Sequence, residues 1–136
     1  MEYKPNVGYK YEYFFNFSQD QVIKFAEATG DNNPIHLDDE YAKTSIFGKK
    51  ILHGMLSGSV FSFIFGTKFP GEGSIYLSQQ FEFLRPMYIE TEYKALIEIM
   101  EIDKIQGRAM FRTEVFDLFN KKTIAGSALI KNDMFL

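Results

Sequence analysis

Residues 53–67 read HGMLSGSVFSFIFGT, a stretch with no Asp, Glu, Lys or Arg and with apolar or small side chains at nearly every position. A helix that is apolar on all sides belongs inside a larger core. At 1.5 Å per residue this one runs about 22 Å, the depth of a small sheet. Its most apolar part, residues 55–65, falls far short of the roughly 20 residues that span a bilayer. The chain must therefore supply something that wraps it. After the turn Pro70-Gly71-Glu72-Gly73 the pattern changes to strands at 74–84, 92–103, 107–119 and 123–131. Turn signals separate them at Arg85-Pro86, between Lys104 and Gly107, and at Asn120-Lys121. One long buried helix against a run of antiparallel strands predicts an α+β domain, the helix lying on a curved sheet.

The N-terminal part completes this layout. Residues 9–17 alternate aromatic and polar side chains in their first half, which predicts a half-exposed strand. Ser18 stands at an N-cap position with Gln21 three residues on, the spacing of a capping box. Val22, Ile23, Phe25 and Ala26 recur at helical spacing through residues 20–29, and Gly30 ends the run. Asp31-Asn32-Asn33-Pro34 is a dense set of turn formers, so residues 31–36 are expected to be loop. A short helix is expected at 40–42, closed by Gly48 and the Lys49-Lys50 pair.

The 136 residues suit a single domain over 1–136, with no repeat or linker-like change in composition. A chain of this length buries about two-thirds of its unfolded surface and needs no disulfide or metal to hold a core. Fifteen Phe and no Trp fit a thick sheet core, an apolar ligand tunnel, or both. A net charge of −3 argues against a nucleic-acid partner, and the lack of Cys excludes thiol nucleophiles and thiolate metal sites. No apolar run follows Met1, so no signal peptide is expected; the default is a cytoplasmic protein with no membrane partner.

Chemistry-bearing residues concentrate in one place. The two histidines, His36 and His53, stand near Asp31, Asn32, Asn33, Asp38 and Asp39, and the strands carry no comparable polar cluster. Asp31 and His36 flank Pro34 on a stiff turn, where a carboxylate and an imidazole can hold one water and move its protons. The same four residues also make a good turn with no chemistry. Gly54 opens the buried helix, where free backbone N–H groups and the helix dipole favour negative charge, as an oxyanion site needs. Gly54 would equally serve close packing of helix on sheet. Ser57, Ser59 and Ser62 read as small residues that permit close packing, with Ser62 also able to donate a hydrogen bond at the site. Gly-x-Ser-x-Gly, Gly-x-Gly-x-x-Gly and P-loop patterns are absent, and Asp31, His36 and His53 lack the usual metal-ligand spacing.

Phe25 to His36 (FAEATGDNNPIH), Phe47-Gly48 and Ile51 to Met55 (ILHGM) together resemble the hydratase motif of MaoC-like proteins. Gly73 to Phe83 (GSIYLSQQFEF) followed by Pro86 is similar to the strand segment of that family. The likeness covers roughly residues 10–131 and runs closest to the short (R)-specific enoyl-CoA hydratases. It implies a hotdog fold, an antiparallel sheet wrapped around the helix from His53, and a homodimer with sheets joined edge to edge. The implied reaction is reversible syn addition of water to a trans-2-enoyl thioester, giving an (R)-3-hydroxyacyl thioester. Asp31 and His36 match the catalytic pair, Gly54 the backbone N–H that binds the thioester carbonyl, and Ser62 a hydroxyl that supports the pair. No metal or redox cofactor is implied. Coenzyme A or acyl carrier protein is the expected carrier of the substrate.

Three rival readings follow from the same residues. An acyl-carrier-protein dehydratase would run the chemistry backwards, and Lys49, Lys50, Lys121 and Lys122 could serve either carrier. A hotdog module that binds acyl thioesters without turnover would need neither Asp31 nor His36. A hotdog thioesterase fits the Gly-Asp-x-Asn-Pro and His-Gly-Met context poorly. If Phe61, Phe63 or Phe65 points inward, the acyl tunnel is short and crotonyl-sized substrates are favoured.

Overall fold

The computed structural model describes residues 5–136; the single-domain expectation over 1–136 also takes in residues 1–4, which lie outside that range. Strand β1 (Lys10–Phe15) leads into helix α1 (Gln19–Thr29), the short helices α2 (Pro34–Leu37) and α3 (Asp39–Lys43), and then helix α4 (Gly54–Thr67). Strands β2 (Ile75–Phe83), β3 (Tyr93–Asp103), β4 (Arg108–Phe116) and β5 (Lys122–Lys131) follow. They form one five-stranded sheet in the order β1-β3-β4-β5-β2, each neighbouring pair antiparallel. This is the expected α+β hotdog arrangement, with α4 held against the sheet.

Local chemistry explains the elements. Ser18 Oγ accepts from Gln21 N–H at 3.1 Å and Gln21 Oε1 accepts from Ser18 N–H at 2.8 Å, completing the capping box of α1. Such a cap stabilises a helix by about 1 kcal/mol. Gly30 ends α1 at φ 81°, a left-handed conformation that favours glycine. Strand β4 stops at Phe116, short of the expected 119, because Asp117 Oδ1 accepts from the N–H groups of Phe119 and Lys121 and folds the chain back.

Residues 31–36, expected as loop, are partly helical. Asn33 Oδ1 accepts from Ile35 N–H at 3.2 Å and Pro34 takes the first helical position, so Asn-Pro starts a single turn rather than merely bending the chain.

Helix α4 buries Leu56, Val60, Phe61, Ile64 and Phe65 against Ile97, Ile99, Phe111, Val115, Ile124 and Ile130 of the sheet. Full burial of such side chains is worth roughly 1.5–3 kcal/mol each. Phe61 and Phe65 both point inward, Phe65 against Phe111 at 4.9 Å between ring centroids and Phe61 against Phe81 at 5.9 Å. Phe63 points the other way and is 42 % exposed. The expectation of burial on every side therefore holds for one face only: Met55, Ser62 and Phe63 face outward in the single chain. The sheet wraps α4 from one side, and its edge strand β2 leaves the other side open.

Candidate functional site

The segment between α1 and α4 folds back over the N-terminal end of α4. Thr29 Oγ1 donates to Phe25 O at 2.7 Å and accepts from Asp31 N–H at 3.2 Å, fixing the exit from α1. Asp31 is exposed, and its carboxylate accepts from Asn33 N–H at 3.4 Å. His36 sits on α2, its backbone N–H bound to Asn33 O at 3.1 Å. Its ring is buried, and Nδ1–H donates to Ile51 O at 2.7 Å. A carbonyl oxygen only accepts, so the proton is on Nδ1 and the neutral ring keeps a lone pair on Nε2. Burial holds His36 below the ordinary imidazole range, more than offsetting the Ile51 carbonyl that favours its cation; His53 lowers it further and Asp31 opposes.

His53 lies at the N-cap of α4, 2 % exposed, with its Nε2–H donating to Asp31 O at 3.0 Å. Its ring stacks on His36 with centroids 3.8 Å apart. Asp31, His36 and His53 each offer a ligand atom within 4.8 Å of the others. His36 Nδ1 and His53 Nε2 each donate to a carbonyl, and His53 Nδ1 is closed off inside, so of the two rings only His36 keeps a nitrogen for an incoming proton or ion. The arrangement suits proton transfer better than metal coordination.

Gly54 is the first residue of α4, and no side chain caps that end. The helix amides there are open to a ligand oxygen. A Cβ on Gly54 would stand 3.1 Å from the ring of Phe83, which β2 lays across the helix start. Beside it opens a cavity of about 310 Å³, bounded by Phe47, Leu52, Phe83, Met87 and Ile124. Phe61 and Phe65 do not line it; they fill the core beyond.

The structure thus brings together Asp31, His36, His53 and the head of α4 at Gly54. It does not bring Ser62 to them. Ser62 is eight residues further along α4, about 12 Å by helical rise, on the outward face with Met55, Ser59 and the β2 residues Leu77 and Phe81. Among the described residues of one chain it makes no hydrogen bond to Asp31 or His36, because more than two helical turns separate it from the loop. Two contributors escaped the sequence reading: the ring of Phe83 over Gly54, and the double contact of His53. Neither leaves a local signal, since both are long-range contacts.

The chain matches the MaoC like domain family over residues 2–117 and belongs to it. It is 35% identical to the (R)-specific enoyl-CoA hydratase of Aeromonas caviae over 92% of this chain and 93% of that one. The unliganded R-hydratase from Pseudomonas aeruginosa superimposes with a TM-score of 0.89 at 38% identity, covering 94% of this chain and 82% of the other. A mitochondrial 3-hydroxyacyl-[acyl-carrier-protein] dehydratase of Arabidopsis thaliana is 32% identical over 79% of this chain and 65% of its own length.

Proposed function

We propose that this chain is an (R)-specific enoyl-CoA hydratase that adds water reversibly to trans-2-enoyl-CoA. The observation that carries the reading is the Asp31–His36 pair, with His36 Nε2 left free by the Ile51 bond and the open end of α4 close by. The A. caviae and P. aeruginosa hydratases support it.

Gly54 N–H binds the thioester oxygen, draws electrons from the double bond and stabilises the enolate that forms. Asp31 and His36 hold the water, whose oxygen bonds to Cβ as one of its protons passes to the pair. The π electrons move to Cα, and the pair delivers a proton there on the same face, giving the (R)-3-hydroxyacyl thioester. The two groups act as one coupled unit, each holding the proton for part of the cycle. Hydration changes no net oxidation state, so the chemistry calls for no redox cofactor. The test is loss of enoyl absorbance with crotonyl-CoA, followed by resolution of the product. Turnover to the (R) alcohol is expected; an (S) product or no turnover would sink the reading. Phe61, Phe63 and Phe65 do not line the cavity beside Gly54, so the grounds for a short acyl tunnel are not met.

The A. thaliana relative favours a second reading, dehydration on acyl carrier protein, and the same assay with carrier-linked substrate separates the two. An acidic carrier would need free basic groups at the rim. Lys50 is bound to Asp39 at 3.3 Å and Lys122 is paired with Glu114. Lys121, by contrast, is exposed, and Arg85 lines the cavity with one guanidinium nitrogen donating to Lys122 O, so Arg85 and Lys121 are the basic groups a carrier of either kind would meet.

The active form in this reading is a homodimer. Strand β2 is an edge strand whose Ile75, Leu77 and Phe83 are 54 %, 40 % and 51 % exposed, beside Met55 of α4 at 63 %. An apolar sheet edge of this kind is a template for pairing with another chain. Ser62 lies on that face, so any part it takes in catalysis comes across the two chains. Sedimentation should give twice the 15.8 kDa chain mass, and Leu77→Lys should shift it toward one chain. A wild-type monomer with full activity would refute the dimer.

A further inference from the structure

We infer that His53 is a positioning residue, which holds the backbone of Asp31 by a hydrogen bond and the ring of His36 by stacking. The inference rests on the proposed role of the Asp31–His36 pair. His53 Nε2–H reaches the Asp31 carbonyl at 3.0 Å across 22 residues of chain. Its ring faces His36 with an interplanar angle of 30°, and Phe25 of α1 covers it at 4.7 Å between centroids. The imidazole is therefore clamped between α1 and α2 at the head of α4.

Simple packing does not account for an imidazole there. His53 Nδ1 is buried with no hydrogen-bond partner among the described residues. An unpaired buried nitrogen is destabilising, and a phenyl ring would fill the same space without it. What only the imidazole supplies is the Nε2–H that meets Asp31. His53 cannot itself exchange protons with substrate, because one nitrogen is spent on Asp31 and the other is closed off inside. The segment leading to it does related work: Ile51 O sets the proton of His36 on Nδ1. Residues 51–54 thus fix the Asp31 carbonyl, the His36 tautomer and the open amides of α4 through one short run of backbone. Displacing a reacting group by about 1 Å can cost 10²-fold in rate.

The experiment compares His53→Phe and His53→Gln in the crotonyl-CoA assay, with melting temperature measured on each. Phe keeps the ring contacts and loses the N–H; Gln places an amide N–H near the position of Nε2 and loses the ring. For His53→Phe kcat should fall about 10- to 100-fold with KM within about threefold. His53→Gln should recover part of kcat while melting lower than His53→Phe. That inversion of order between rate and stability is what a packing role cannot produce. Wild-type kcat in His53→Phe, or kcat that tracks melting temperature in both variants, overturns the inference. Asp31→Asn and His36→Ala run alongside: if they are dead while His53→Phe is fully active, the pair stands and the role of His53 falls. If they are active, the proposed pair itself falls.

Discussion

Asp31→Asn is expected to lower kcat for crotonyl-CoA hydration by roughly 10²–10⁴-fold, the usual worth of a positioned acid or base, with KM little changed. The substitution is nearly isosteric. The amide side chain would still offer an oxygen to Asn33 N–H, and the backbone carbonyl at that position would still accept from His53 Nε2–H, so the turn keeps its bonds. What the variant lacks is a group that can take and return a proton. The loss should therefore appear in kcat, because the proposed binding contacts lie at the Gly54 end of α4 and Asp31 does not line the cavity there. Wild-type pH dependence gives a second readout of the same pair. Only the neutral ring of His36 has a lone pair at Nε2, and burial holds the group below its ordinary 6.5. The acid limb of kcat/KM assigned to His36 should thus lie below pH 6.5, activity falling as the ring takes up its proton. Asp31→Asn with wild-type kcat would remove Asp31 from the mechanism.

How far the sequence carried is clearest at particular residues. Ser18 and Gln21 announce the start of α1 because a capping box is complete within four residues. Strand β1 is legible by its alternation, which reports one more buried face, whereas β2 shows no such pattern and is marked by the turns that bound it. At Asn33-Pro34 a local signal existed, an N-cap followed by Pro at the first helical position, but it sat inside a cluster of turn formers that reads as loop. The outward face of α4 was not legible at all. Met55 and Phe63 are apolar whether they meet a sheet or another chain, and composition alone does not tell these apart. Candidate site residues were legible as chemistry and not as geometry. Asp31, His36 and Gly54 stand out by type and by family likeness, whereas Ser62 stands out in the same way and lies on the outward face of α4, away from the pair within one chain. The Asp31–His53 and His36–Ile51 bonds close over 22 and 15 residues, a distance that no spacing rule spans.

Gly126→Ala should be the most damaging single-methyl change for folding. Gly126 lies on β5 opposite Phe81 of β2, and a Cβ there would fall 1.8 Å from the backbone oxygen of Gln80. A flexible side chain could yield, but a backbone oxygen moves only with its strand. β2 has little room to retreat. On its other side the ring of Phe81 already occupies the place of a Cβ on Gly58, 2.6 Å away, and the ring of Phe83 lies over Gly54. Three glycines, at 54, 58 and 126, therefore let β2 pass between α4 and β5. Overpacking a well-filled core costs about 1–3 kcal/mol when side chains can adjust, and more when backbone must move. A loss above about 3 kcal/mol is expected, a large share of the roughly 5–15 kcal/mol that holds a domain of this kind folded. Urea unfolding would read it as a large drop in midpoint, or as failure to yield soluble protein. Gly66→Ala is the control: nothing lies within 4 Å of a Cβ there, in the exposed last turn of α4, and the change should stabilise by about 0.4–1 kcal/mol. An unfolding midpoint for Gly126→Ala equal to wild type would show that β2 can shift without loss. The same displacement would lift Phe83 from Gly54, so any folded fraction of Gly126→Ala should also lose binding at the head of α4.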